Sequence, residues 1–113
     1  MSDNWRSDHA RASRTLLGWE LRRIREAEGL TQQQVVSASD FYKDERSLRR
    51  IEAGERRPTR TALIALVACG LGVSEVAVID RLLAIAGYVG LSIGEQRAVL
   101  RTPPWLNGRG GMA

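Results

Sequence analysis

The sequence predicts an all-α protein, a compact bundle of five to six helices, on three observations. Hydrophobic residues make up 43% of 113 positions but aromatics only 5%. The remainder are mainly Leu, Val, Ile and Ala, a mixture that packs helix on helix. Apolar positions recur at helical spacing and show no strand-like alternation. Capping residues, Thr, Asp or Ser, precede several of these runs, and Gly follows them. The length suits one domain, typically about 100–150 residues.

Taken in order, residues 1–12 mix Ser, Asp, Asn, Arg and His without periodicity and read as a flexible arm, Trp5 being its one notable residue. The main domain is expected over 13–88. From Ser13 a stripe of Leu17, Leu21 and Ile24 marks a first helix, which Gly29 ends. His9, in the arm, has no ligand partners. Trp19 stands off the stripe beside Leu16 and is expected to pack against a later helix or a partner chain. Thr31 caps a second helix with Gln32, Gln33 and Gln34 in its first turn, ahead of Val35 and Val36; it fades over 37–40. A third helix runs from its cap Asp44 to Glu52 or Ala53, with Gly54 as the stop. Residues 55–58 form a basic loop. Thr59 starts a fourth helix, apolar around most of its circumference and therefore central, with Cys69 as a small buried core residue. A fifth helix spans about 74–86. Ser92 and Glu95 have capping-box spacing for a sixth, so 89–101 is read as a C-terminal helix available for dimerisation. Residues 102–113, with two Pro and three Gly, read as an irregular tail in which Trp105 is either a docking anchor or exposed.

The formal charge of +4 suits an anionic partner. Residues 43–60 carry seven basic and four acidic side chains, whereas 61–100 carry two and three. Sixteen of the 17 basic residues are Arg, which suits planar recognition of phosphate and guanine and is equally the mark of a GC-rich coding sequence. With one Cys and one His, an intramolecular disulfide and a metal site built from several such ligands are excluded, so neither metal nor cofactor is expected. Paired carboxylates, a nucleophile with its base and a phosphate-binding glycine loop are all missing, so no enzyme is expected. No charged leader precedes an apolar core, and no apolar run approaches the roughly 20 residues of a bilayer span. A cytoplasmic, nucleoid-associated protein without a membrane partner is expected.

On a helical wheel of about 100° per residue, Leu48 and Ile51 of the third helix fall on one side and Arg46, Arg49 and Arg50 on the other, with Lys43 at the edge. Three guanidiniums on a short helix anchored from beneath fit a major groove about 12 Å wide and the N7 and O6 acceptors of guanine. A solvated charged face is the bland alternative. The stretches LGWELRRIREAEGLTQQQ, RRIEAGERRPTRTALIALV, LGVSE and LLAIAGY, spread over 16–88, favour the groove. Together they resemble the phage-repressor type of helix-turn-helix, the XRE family. That resemblance implies the phage-repressor DNA-binding fold, with a helix-turn-helix over about 31–54. Thr31 and Gln32 would open a scaffold helix crossing the phosphates, and Glu45, Arg46 and Arg50 would lie against base edges. Base contacts are thus expected among Lys43, Glu45, Arg46, Ser47, Arg49 and Arg50. Phosphate contacts are expected from Thr31, Gln32 and Gln33, and from Arg56, Arg57 and Arg60 of the basic loop, the family's backbone clamp. The resemblance, with helix geometry, also implies an ion pair between Arg25 and Glu52.

One departure stands out. The distance from Thr31 to Ile51 is roughly two residues longer than the family's usual one, within SASDFYKDE. Either helix 2 is extended or the turn is enlarged, and Phe41 or Tyr42 is expected to plug the core beneath it.

The expected function is a sequence-specific regulator of transcription that binds double-stranded DNA, a repressor occupying an inverted-repeat operator as a homodimer. Helix 5 carries one stripe of Val76, Ile79, Leu83 and Ala86. A second stripe, Val78, Leu82, Ile85 and Val89, together with Leu91 and Ile93, is the expected dimer interface unless helix 6 folds back over it. An antitoxin that regulates its own operon and a protein-binding adaptor are the alternatives. The short tail offers little material for holding a toxin, and the arginines of helix 3 argue against an adaptor.

Overall fold

No Gly or Pro precedes Gly18, and Ala10, Arg11, Ala12 and Arg14 are good helix formers, so nothing local stops the first helix from extending towards the N-terminus. In the computed structural model, which describes residues 3–40 and 44–101, α1 accordingly runs Asp3–Ala27. The start expected at Ser13 is corrected to Asp3. Periodicity is missing before Ser13 because those turns meet no core: residues 8–12 are exposed. The other elements are α2 Gln32–Ser39, α3 Glu45–Glu52, α4 Arg60–Ala65, α5 Val76–Ile85 and α6 Ile93–Arg101, and no strand occurs among the described residues. After Ala65 the α4 chain continues as a π-helical turn, Leu66–Gly70.

Each start has a local cause. Thr31 Oγ1 accepts from the Gln34 N–H while Gln34 Oε1 accepts from the Thr31 N–H, a complete capping box. Asp44 and Thr59 cap α3 and α4 through the N–H groups of Ser47 and Ala62. Ser92 and Glu95 form the second box, as their spacing predicts. Gly29 and Gly54 end α1 and α3 with φ of +71° and +78°, the left-handed conformation that lets the following N–H groups close back on the last turn.

The core is one cluster. Leu17 and Leu21 of α1, Val35 and Val36 of α2, and Leu48 and Ile51 of α3 meet Leu63, Leu66 and Val67, with Ile79, Leu82 and Leu83 closing it from α5. Two backbone approaches set the spacing. A Cβ on Gly18 would lie 2.5 Å from the carbonyl oxygens of Ile51 and Glu52, so α1 and α3 touch through their main chains. A Cβ on Gly70 would lie 2.9 Å from Val35 Cγ1 and O, which seats the π-helical turn directly on α2.

Four expectations change here. Leu82 and Leu91 are buried within their own chain at 0% and 7% exposure, so neither is free to form a dimer face. Val99 of α6 also joins the core. Val78 and Ile85 are half-buried, and Val89 and Ile93 remain exposed. Cys69 is only half-buried, because it lies on the face of the π-helical turn directed towards α6 and away from the core. Trp19 packs on no later helix among the described residues: it is 57% exposed, and the Arg23 guanidinium lies 5.7 Å from its ring centroid. The expectations for Phe41, Tyr42, Lys43, Trp105 and the tail, and for the Trp5 side chain, lie outside the described residues.

Candidate nucleic-acid interface

The length of α2 settles where the additional residues lie. Helix 2 is not extended; it stops at Ser39, and its C-cap, Asp40, adopts φ 53° and ψ 25°. α3 begins after its own cap, Asp44, so the additional residues fall between the caps of the two helices. Asp40 takes the left-handed conformation, which Asp tolerates better than most residues.

Burial of Leu48 and Ile51 turns the opposite edge of α3 outward, and Arg46, Arg49 and Arg50 are all exposed. Arg46 makes no ion pair among the described residues. Arg49 lies 3.7 Å from Glu45, and Arg50 lies 3.8 Å from Glu55. Both separations exceed hydrogen-bonding range, and exposed pairs of this kind contribute at most about 1 kcal/mol, so an arriving anion can displace them. Glu45 and Ser47 are half-buried on the same helix. A polar cleft of about 590 Å³, bordered by Thr31, Gln32, Glu45 and Arg49, runs between the start of α2 and α3.

The Arg25–Glu52 pair forms as the resemblance implies. Arg25 Nε donates to Glu52 Oε2 at 2.7 Å and Nη2 to Oε1 at 3.0 Å, while Nη1 donates to the Leu30 carbonyl at 2.8 Å. Gln32 Nε2 adds a third donor to Glu52 at 3.0 Å. The two charged side chains are 12% and 5% exposed. Hydrogen bonding to Glu52 holds the Arg25 guanidinium above its ordinary pKa. One carboxylate thus fastens α1, the start of α2 and the end of α3 together, beside the main-chain contact at Gly18. Both contacts hold the C-terminal end of α3.

The expected phosphate contacts divide. Thr31 and Gln33 are exposed at the start of α2, although the Gln33 amide donates to Ser37 Oγ at 3.2 Å. Gln32 turns its amide inward to Glu52. Arg56 and Arg57 are exposed in the loop before α4. Arg57 lies 4.2 Å from the Tyr88 ring centroid, and the Tyr88 hydroxyl donates to the Pro58 carbonyl at 2.8 Å, so an aromatic platform positions this arginine.

Arg60, expected at phosphates, has its donors directed elsewhere. Nη1 and Nη2 grip Glu95 at 2.7 and 2.8 Å, while Nε and Nη2 reach the carbonyls of Val89 and Gly90. Its role is to fasten α6 to α4. Arg60, followed by Ser92, draws the Glu95 carboxyl down to about 2. Sequence reasoning missed this pair and also Glu20, which is buried on α1 and bonded to Arg81 of α5 and Arg23. Hydrogen bonds from Arg81, then Arg23, hold Glu20 below the usual carboxylate range.

Among the described residues no cluster of three or more His, Cys, Asp or Glu could hold a metal, and no helix is long and apolar enough to cross a membrane. No curated relative and no solved structure matches the chain. A family model described as a helix-turn-helix domain matches residues 16–82, more than half the sequence, including α2, α3 and the basic loop. The protein belongs to this helix-turn-helix domain family, a family of XRE-like regulators.

Proposed function

We propose that the protein is a sequence-specific regulator of transcription that inserts α3 into the major groove of double-stranded DNA and represses by occupying an operator. The observation that carries this reading is the division of α3: its apolar residues are buried, its angle is fastened by Glu52, and Arg46, Arg49 and Arg50 form its outer edge. Arginines in that position match the paired acceptors of guanine. Thr31 and Gln33, with the positive end of the α2 dipole, and Arg56 with the platform-mounted Arg57, flank α3 at positions suited to phosphates. Lys43, Glu45 and Ser47 complete the set of proposed base contacts. Exposed Val89, Ile93 and Leu100, at 78%, 67% and 66%, support a homodimer through the C-terminal third. Its operator would be an inverted repeat with half-sites about 10 bp apart, set by the DNA turn of roughly 34 Å.

Selection of bound sites from random duplexes tests the reading. Arg46→Ala or Arg50→Ala is expected to relax preference at one base pair per half-site, at about 1–3 kcal/mol. Arg56→Ala and Arg57→Ala should instead weaken all duplexes alike and reduce the salt slope by about one per lost contact. Uniform loss of affinity in all four variants, with unchanged preference, would refute the assignment of α3. A single chain per site in sedimentation would refute the dimer.

A further inference from the structure

Apart from the residues of the candidate interface, α4 and its π-helical continuation face α6 across a cavity of about 330 Å³. Ile64, Ala68 and Cys69 form one wall, and Ala98 and Val99 the other. The small residues are what leave the space open, and the π-helical turn is what aims Cys69 into it instead of into the core. Insertions of this kind in an α-helix are frequent at functional sites.

We propose that this cavity binds a small, neutral, predominantly apolar molecule. The volume lies at the lower end of the roughly 300–1,000 Å³ of ligand pockets, which sets the size class. A cavity walled mainly by aliphatic groups offers water few partners and admits apolar molecules in its place. Neutrality follows from the one charged residue on its border. Glu95 is matched by the Arg60 guanidinium at 2.7 and 2.8 Å and by the Ser92 N–H at 2.8 Å. The Arg60–Glu95 pair has no net charge to offer, an anion would be repelled by the carboxylate, and a cation would have to displace Arg60. Thr61 and Ser74, also on the border, supply hydroxyls that hydrogen-bond to no side chain among the described residues and suit a single polar group on the ligand. An occupant would bridge α4 to α6 and press on the turn that seats against Val35 of α2.

The experiment uses the full chain and N-phenylnaphthylamine, a neutral apolar fluorophore, with its anionic relative anilinonaphthalene sulfonate for comparison. Saturable binding of the neutral probe is expected, with slower reaction of Cys69, the only thiol, towards a water-soluble disulfide reagent. Ala68→Phe should weaken binding at least about tenfold, whereas Trp19→Ser, at the exposed apolar patch on α1, should not change it. If Ala68→Phe fails to fold by circular dichroism, the thiol protection in the unmodified chain decides. No saturable binding, binding without thiol protection, or binding abolished by Trp19→Ser overturns the proposal. Tighter, thiol-protecting binding of the anionic probe overturns its neutral class.

Discussion

Replacing Glu52 with Ala removes one carboxylate that three donors share: Arg25 Nε, Arg25 Nη2 and Gln32 Nε2. At 12% and 5% exposure, neither charged side chain can recover full hydration without moving the helices. Breaking a buried pair by deleting one partner costs about 3–5 kcal/mol, mostly because the remaining charge is stranded. Arg25 keeps the Leu30 carbonyl, so the expected loss is near the lower limit, about 3 kcal/mol. That is a large share of the roughly 5–15 kcal/mol by which small domains are stable. It corresponds to a fall in Tm of about 10–20 °C. Urea unfolding followed by circular dichroism measures it, with an unchanged m value showing that the effect lies in the folded state. Arg25→Met with Glu52→Leu should restore much of the loss, since apolar residues of similar volume carry no desolvation penalty. A loss below about 1 kcal/mol for Glu52→Ala, the value of a surface pair, would refute the argument that this network fastens α3.

Gly18→Ala should destabilise by about 1–3 kcal/mol although Ala is the better helix former, because its Cβ would meet two backbone carbonyl oxygens at 2.5 Å. Gly94→Ala on α6, where the nearest atom is Ser92 Oγ at 3.9 Å, should stabilise by up to about 1 kcal/mol; the same unfolding assay reads both. Glu95 titrates at about 2 in the folded chain against an ordinary 4.5, so its stabilisation is present above 4.5 and is lost as pH falls from there towards 2. Glu20 shifts in the same direction. Glu95→Gln should therefore lower stability near neutral pH and flatten the acid limb of the stability profile, and an unchanged limb would show that Glu95 does not contribute to it.

What could be read from the sequence was whatever is decided within about one helical turn. Thr31 and Asp44 cap their helices as their residue types predict, through the N–H groups of Gln34 and Ser47, and Ser92 with Glu95 forms the cap its spacing predicts. Leu48 and Ile51 likewise define the inner side of α3 by periodicity alone. Pairs between distant elements carry no such local signature. Arg60 and Glu95 are 35 positions apart, and Glu20 and Arg81 are 61 apart. Only the path of the chain brings them together, which is why sequence position alone groups Arg60 with Arg56 and Arg57 as one basic cluster. The Arg25–Glu52 pair, 27 positions apart, was reached through family resemblance. Leu82 and Val89 show the same boundary among apolar residues, since they share a stripe yet one is 0% and the other 78% exposed. Helical periodicity tells which residues share a face, but not how far the next helix reaches over it.

The arginines themselves illustrate the consequence for function. Arg25, Arg60 and Arg81 are bonded to Glu52, Glu95 and Glu20, and these contacts join α1 to α3, α4 to α6, and α1 to α5. Arg46, Arg49, Arg50, Arg56 and Arg57 stay exposed on α3 and the loop that follows it. A count of positive charge along the sequence mixes these two groups, whereas the short, helix-joining bonds of the first set it apart. The positive charge offered to an anionic partner in this region therefore lies on α3 and the loop that follows it, next to the contacts by which Arg25 holds α3 in place. Rigidity and recognition fall to different arginines, so a substitution in either group should be separable by assay: stability for the first, binding and its salt dependence for the second.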